Sequence, residues 1–362
     1  MLIGIAVIAV GSILFFSLQK EAELEEKGII SEANQNFAIE DTASIDKVVI
    51  DRKGAGTLTI VRDRSQKKWF IEGTDRMVQP YNSSLILETA KQIRVIQDVA
   101  EANVENVKTQ LAIIGRIKVE YYKNGENKPF KTWFVGNATP DGEGTYMMVE
   151  EFDEATGKTI QSNRPYITSK PGFRGTLNTR YSIDPYIMEY PGVFNYKSKN
   201  KDGLVEYDIS SIEVNFKNTP EQNYKLQLSP TGKLNLYNAV GDAIPKFDSA
   251  QAKHYVSHYG GIFYEGVVRD FTIEQMDSVR SIEPDYTITV KDKKNIAKQV
   301  KVWRKKLANP IENEFGLKQE YDVSRAIISL SWREELFHAQ YQMWDVLFKP
   351  LSYFTTGSSP IQ

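Results

Sequence analysis

A chain of 362 residues with 41% hydrophobic and 11% aromatic content can bury the cores of about two domains. Its 45 basic and 47 acidic side chains nearly cancel, to a net charge of −2, which argues against a nucleic-acid binder and its usual basic excess. With no cysteine, a disulfide framework, thiolate chemistry and a cysteine-ligated metal are excluded.

Residues 1–18 are almost unbroken apolar sequence, interrupted only by Gly4, Gly11, Ser12 and Ser17. Eighteen helical residues span about 27 Å, close to the roughly 30 Å hydrocarbon core of a bilayer. The segment is therefore expected to be an uncleaved, single-pass transmembrane signal anchor. A cleaved signal peptide is the alternative, but its apolar region is normally shorter, roughly 7–15 residues. No small-x-small cleavage site follows Leu18. Lys20 and Lys27 follow the segment among Glu21, Glu23, Glu25 and Glu26, so the positive-inside rule orients it only weakly. The overall type is one short anchor followed by a cysteine-free, β-rich body. It places the anchor in the inner (cytoplasmic) membrane and the bulk in the periplasm. Residues 19–36, charged and then small and polar, read as a juxtamembrane linker.

The first folded unit is expected over 37–180. Val48 and Ile50, Leu58 and Ile60, and Trp69 and Ile71 alternate with polar neighbours. Turns at Gly54-Ala55-Gly56 and in the run from Asp63 to Lys68 separate them. Period-two alternation of this kind predicts a three-stranded meander. Asn82-Ser83-Ser84 then offers a helix N-cap, with Ile86, Ala90, Ile93, Ile96 and Ala100 at helical spacing behind it. Ile117, Val119 and Tyr121 predict a strand that turns at Lys123-Asn124-Gly125-Glu126 and returns over 130–135. The glycine-rich stretch 136–144 predicts a mobile hairpin turn before a strand at 145–150. Another hairpin turns at Glu154-Ala155-Thr156-Gly157, and Tyr166-Ile167 and Lys170-Pro171 close the unit.

Residues 181–203, rich in Tyr, Pro and Asn, read as a connection, and a second unit is expected over 204–354 before a tail at 355–362. Ile212, Val214 and Phe216, then Tyr224, Leu226 and Leu228, then Leu234 and Leu236 after Pro230-Thr231-Gly232, repeat the meander. A helix follows Asp248-Ser249, with Ala252, Tyr255, Val256, Tyr259 and Phe263 on one stripe. A hairpin pairs 286–291 with 300–304. Ala326, Ile328 and Leu330 alternate, and 346–353 closes the unit. Matched positions keep a slowly drifting offset, with shifts confined to turns. Trp133 matches Trp303 on this reading, and Lys170-Pro171 matches Lys349-Pro350. Such drift is what tandem duplication produces. The fold class is therefore α+β: a duplicated meander, helix and hairpin unit behind one transmembrane helix.

No motif names a reaction. His254 and His258 are four apart on the second helix and could chelate zinc, yet Tyr255 stands where a metalloprotease needs Glu. The remaining histidine, His338, supplies no obvious third ligand. The stretch 136–144 lacks the Gly-Lys-Ser/Thr ending of a phosphate loop, and Asp141, Glu143, Asp153 and Glu154 lack calcium-loop spacing. From Lys291 to Lys306 there are eight basic residues and one acid around Trp303, which reads as a solvated hairpin with lysines guarding its edge. The C-terminal aromatics Trp332, Phe337, Tyr341, Trp344, Phe348, Tyr353 and Phe354 are expected to pack the last strands. No catalytic, cofactor-binding or metal-ligating residue is assigned, and no cofactor is expected.

The order of these parts resembles a bacterial envelope domain family of unknown function. The residues that carry the resemblance are Ile45 to Arg52, Leu58-Thr59-Ile60, Lys68-Trp69-Phe70, the helix behind them and the hairpin from Pro129 to Gly144. Members typically carry one N-terminal membrane helix. Related domains occur in the auxiliary subunit of an ABC-type transporter linked to gliding motility in the Bacteroidota. The resemblance implies an anchored extracytoplasmic body in a multiprotein envelope assembly and no catalytic residues. The multi-pass region of a transporter subunit is not present in this sequence. The expected role is a non-enzymatic scaffold or accessory subunit, serving motility, secretion or transport and presenting long β edges and faces. Its partners would be the bilayer, through the N-terminal helix, and other envelope proteins. A periplasmic glycan- or peptide-binding module is the alternative, and an enzyme the third possibility.

Overall fold

The computed structural model describes residues 37–355 except 114–115, 154–155, 163, 230, 313–315 and 317. The expected membrane anchor, the linker and almost all of the tail lie outside the described residues. Among the described residues no helix is long and apolar enough to cross a membrane. The chain divides into two compact units between Tyr190 and Pro191. Both combine antiparallel sheets with helices, an α+β construction. The stretch read as a connection is shared out. Tyr181 and Met188 are buried in the first core, Val193 and Phe194 in the second.

In the first unit β1 (Ile45–Arg52), β2 (Gly56–Asp63) and β3 (Lys68–Ile71) form the expected meander. Gly54 and Gly56 adopt φ of 79° and 123°, which a side chain would resist, and so make the first turn. Val48, Ile50, Leu58, Ile60, Trp69 and Ile71 all face one core. Helix α1 (Pro80–Gln92) covers that face through Ile86 and Ala90. It begins three residues earlier than a cap at Asn82, the first residue of the Asn82-Ser83-Ser84 stretch, would place it. Pro80 occupies the first turn, where its fixed φ and missing N–H cost nothing. It also ends early: the Ile93 N–H makes the last helical bond, to Thr89 O at 3.0 Å, and its ψ of 141° turns the chain out of the helix. Ile96 therefore lies in a strand, β4 (Arg94–Asp98), and Ala100 precedes a 3₁₀ turn. A second helix, α2 (Val104–Ile113), was not foreseen. Five strands complete the unit: β5 (Ile117–Lys123), β6 (Lys131–Ala138), β7 (Thr145–Asp153), β8 (Lys158–Gln161) and β9 (Tyr166–Ser169). The sheet order is β3-β2-β1-β5-β6-β7-β9-β4, with β8 beside β7. Three residues of the glycine-rich stretch, 136–138, finish β6, and the other six form the expected hairpin turn before β7. Its turn is closed by Thr139, whose hydroxyl donates to Asp141 at 2.5 Å and accepts from Gly144 N at 3.0 Å.

The turn after β2 is built on Asp63. Its carboxylate accepts from Ser65 Oγ at 2.6 Å, Gln66 N at 3.0 Å, Gln66 Nε2 at 2.7 Å and Ser65 N at 2.8 Å. The Ser65 hydroxyl is foremost among the donors that lower the Asp63 pKa from 3.8 to about 2. Stability from this turn is thus present above pH 3.8 and lost as pH falls through about 2. Ser65→Ala is expected to move the Asp63 pKa back toward 3.8 in a carboxyl NMR titration. An unmoved pKa would refute this account of the turn.

The second unit opens with β10 (Gly192–Phe194), β11 (Lys197–Lys199) and β12 (Val205–Tyr207). Its meander is β13 (Ser211–Phe216), β14 (Tyr224–Leu228) and β15 (Leu234–Asn238), extended by β16 (Ala243–Ile244). Helix α3 (Ser249–His258) is capped as expected, with Asp248 accepting from Gln251 N at 2.9 Å. It buries Ala252, Tyr255 and Val256. Phe263, read as its last apolar position, instead sits in β17 (Ile262–Phe263). Then follow β18 (Gly266–Val267), helix α4 (Ile273–Ser281), β19 (Tyr286–Lys291), β20 (Ala297–Glu312), β21 (Lys318–Leu330) and β22 (Leu336–Gln340). The sheet order is β16-β15-β14-β13-β19-β20-β21-β22-β18.

Three expectations change here. First, β20 is paired on both sides as far as Val302, so Lys298 and Lys301 guard no edge, whereas Lys305 and Lys306 lie beyond β19 where β20 pairs with β21 alone. Second, Val119 pairs with Trp133 while Ile288 pairs with Val300, so the counterpart of Trp133 is Val300 rather than Trp303. Lys170-Pro171 directly follows β9, whereas Lys349-Pro350 lies well beyond β22, so these dipeptides do not correspond either. Third, after β22 the chain forms one-turn helices (Tyr341–Trp344 and Ser352–Thr355), not a closing strand. Trp344 and Phe354 are nevertheless fully buried.

Candidate functional site

The two sheets share an order of elements but are finished differently on the face opposite α1 and α3. In the first unit α2 lays Val104, Val107 and Leu111 on Tyr146, Met148 and Ile167, and all three are buried. This close seat depends on Gly136. A Cβ there would lie 2.7 Å from Leu111 Cδ2 and 3.0 Å from Tyr146 O.

Three residues beyond Val300, the place corresponding to Gly136 is held by Trp303. Its indole is buried with Val268, Ile327 and Leu336, and its Nε1 donates to Ile282 O at 2.9 Å. Helix α4 stands off. It has no fully buried residue, and only Met276 and Val279 reach the apolar patch. A groove of about 800 Å³ remains between α4 and the sheet, with Trp303, Leu336 and Met276 among its apolar walls. Arg280, Lys301 and Arg333 add cations. Arg333 is paired with Glu335 at 3.0 Å, and Arg280 donates to Asp277 at 3.1 Å and to Glu334 O at 2.6 Å. Lys301 has no carboxylate partner among the described residues.

Beside the groove, β20 and β21 run on past the sheet as a two-stranded arm, where the first unit has only the turn after β6. The arm's base is braced. Arg325 grips Glu265 through two bonds of 2.6 Å, and Lys305 meets Asp270 at 3.3 Å. Arg304 meets Asp285 at 3.4 Å and lies 4.3 Å over the Tyr321 ring. The Arg325 hydrogen bond holds the Glu265 carboxyl below its ordinary pKa. Ile311, farther out, is 53% exposed, and Val323, in the irregular stretch between Tyr321 and Ala326, is 72% exposed. His338 sits at the base, 3.5 Å from Asp270. Burial pushes its pKa down, and the Lys305 ammonium acts the same way, so the ring is neutral near pH 7.

His254 and His258 do come together, edge to face at 4.7 Å between centroids. Burial lowers the His258 pKa, followed by the charges of His254 and Lys349. Among the described residues no third histidine or carboxylate joins them in a metal-binding group. Neither the groove nor the arm was foreseen. The Thr272-to-Gln275 spacing, a capping box in the structure, is the signal that could have revealed α4. The β edges are also shorter than expected: β3 has four residues, β4 five, and β16 and β18 two each. Such short edges limit pairing with other chains. Comparison with protein-family models, curated proteins and solved structures gives no match.

Proposed function

We propose that the chain is a membrane-anchored extracytoplasmic scaffold or accessory subunit of a bacterial envelope complex serving motility, secretion or transport. On this reading it holds a polypeptide partner and catalyses nothing. Its two units are tandem copies, supported by the matching strand order and the register that pairs Ile50 with Val119 and Val214 with Ile288. The first copy would be the closed form and the second the working one.

The observation that carries the reading is the braced arm with its exposed Ile311 and Val323. A two-stranded ribbon presents unpaired backbone on both outer sides and suits pairing with another chain. Three ion pairs at its base keep it extended, which lowers the entropy lost on binding. The test is native purification from gently solubilised membranes, with the full chain and with the arm cut back to Arg304 and Arg325 and joined by Asn-Gly. A stoichiometric partner is expected with the full chain and lost from the trimmed one. A full chain that always runs alone, or a trimmed chain that keeps its partner, would defeat the reading. The second reading, a ligand-binding module, is favoured by the groove beside Trp303, whose size and mixed lining suit a peptide.

A further inference from the structure

The outer face of the second meander carries a depression of about 430 Å³, distinct from the groove: polar side chains make up most of its lining, with Ala239 and Gly241 at its lip. Glu213 and Asn215 come from β13, Lys225 and Gln227 from β14, and Tyr237 from β15. Glu213 stands opposite Lys225, and Lys225 opposite Tyr237, so the three form one row across the strands. The loop after β15 forms a lip. Asn238 Oδ1 fixes it by accepting from Val240 N at 3.1 Å and Asp242 N at 2.8 Å. Asn215 Nδ2 donates to Glu213 at 3.3 Å. Lys225, Gln227 and the Tyr237 hydroxyl have no side-chain partner among the described residues, so their hydrogen-bonding capacity faces outward. The first sheet has Val49 and Asp51, then Thr59 and Val61, at the places that register matches on its first two strands. The set of long amide, ammonium and carboxylate groups belongs to the second unit alone.

We infer that this depression binds a neutral oligosaccharide. Amides and the phenol both donate and accept, which matches sugar hydroxyls. The Tyr237 ring offers an apolar body with a polar tip, fit to lie against a sugar face. One ammonium set directly opposite one carboxylate leaves no excess charge for a phosphate or polyanion. The lining has no aliphatic wall for a greasy ligand. The inference is independent of both readings above, since no lining residue belongs to the arm or the groove.

The experiment is calorimetric titration of the detergent-solubilised full chain with chitohexaose, cellohexaose, maltohexaose, xylohexaose and mannohexaose. At least one is expected to bind, and Tyr237→Ala and Gln227→Ala each to weaken it about tenfold, or roughly 1.4 kcal/mol. Tyr237→Phe should weaken it less, because the ring remains. Lys301→Glu in the groove and removal of the arm should leave sugar binding unchanged while testing the other readings. Failure of all five sugars to bind, or binding that Tyr237→Ala and Gln227→Ala leave within about twofold, would overturn the inference.

Discussion

Trp344→Ala is expected to cost the second unit about 3–5 kcal/mol, the range for removing a large aromatic from a packed core. The indole is fully buried, tilted against Phe194 at 6.4 Å, and donates from Nε1 to Phe263 O at 2.9 Å. It therefore combines a large apolar area with a satisfied polar group. The informative control is Phe. Trp344→Phe keeps a ring but removes the bond to Phe263 O, which adds about 1–3 kcal/mol if the carbonyl stays dry. In the first unit Trp133 is as deeply buried, edge-on to Tyr121 at 5.0 Å, but its Nε1 has no partner among the described residues. Trp133→Phe should thus cost less than Trp344→Phe, because it removes an unpaired donor from the core. Urea midpoints of the three variants give the comparison. Equal costs for the two Phe replacements would show that the indole hydrogen bond contributes little.

The second large effect is alkaline unfolding. Tyr121 and Tyr181 in the first core, and Tyr224, Tyr255 and Tyr259 in the second, are fully buried. Four of the hydroxyls turn to one another: Tyr121 to Tyr181 at 3.3 Å, and Tyr255 to Tyr259 at 2.7 Å, with Tyr255 also donating to Leu347 O at 2.9 Å. Burial, the leading cause in every case, holds these ionisations above the ordinary value of 10.0. Buried Tyr122 and half-buried Tyr196 and Tyr341 are raised to about 12. Above pH 10 the unfolded chain releases protons that the folded chain keeps, so stability is full below that pH and falls as pH rises. Each pKa unit is about 1.4 kcal/mol per group, and the groups act together. Exposed tyrosines should ionise gradually, then the buried ones in a single step that coincides with loss of near-ultraviolet dichroism. Complete tyrosinate absorbance with the dichroism intact would contradict this. Tyr255→Phe should soften the transition in the second unit.

What could be read from sequence follows from what each segment buries. The meanders were legible because one face of every strand is in a core, so apolar residues alternate from Val48 through Ile71 and again from Ile212 through Leu236. Helix α3 was legible because Asp248 performs its cap directly. The end of α1 was misread because Ile93 and Ile96 fit a helical spacing, although the backbone had already turned at Ile93. The arm was invisible for the opposite reason to the meanders: neither of its faces is buried, so nothing enforces alternation beyond Arg304. The groove needed pairing information. Matching tryptophans by identity joined Trp133 to Trp303, and only strand register shows that Trp303 stands where the first unit has Gly136. A glycine that admits a helix and a tryptophan that holds one off are opposite solutions at one site, and single residues do not announce them.

The placement of β5 next to β1 has a cost during synthesis. Val48 finds its partner Tyr121 only after ~70 further residues have been made, a wait of several seconds at ~5–20 residues per second. Until then the nascent meander has one flank of bare amides and carbonyls, and the same delay recurs when β13 waits for β19. A chaperone that shields extended segments on the ribosome should therefore raise the yield of folded product more than it raises the stability of the finished protein.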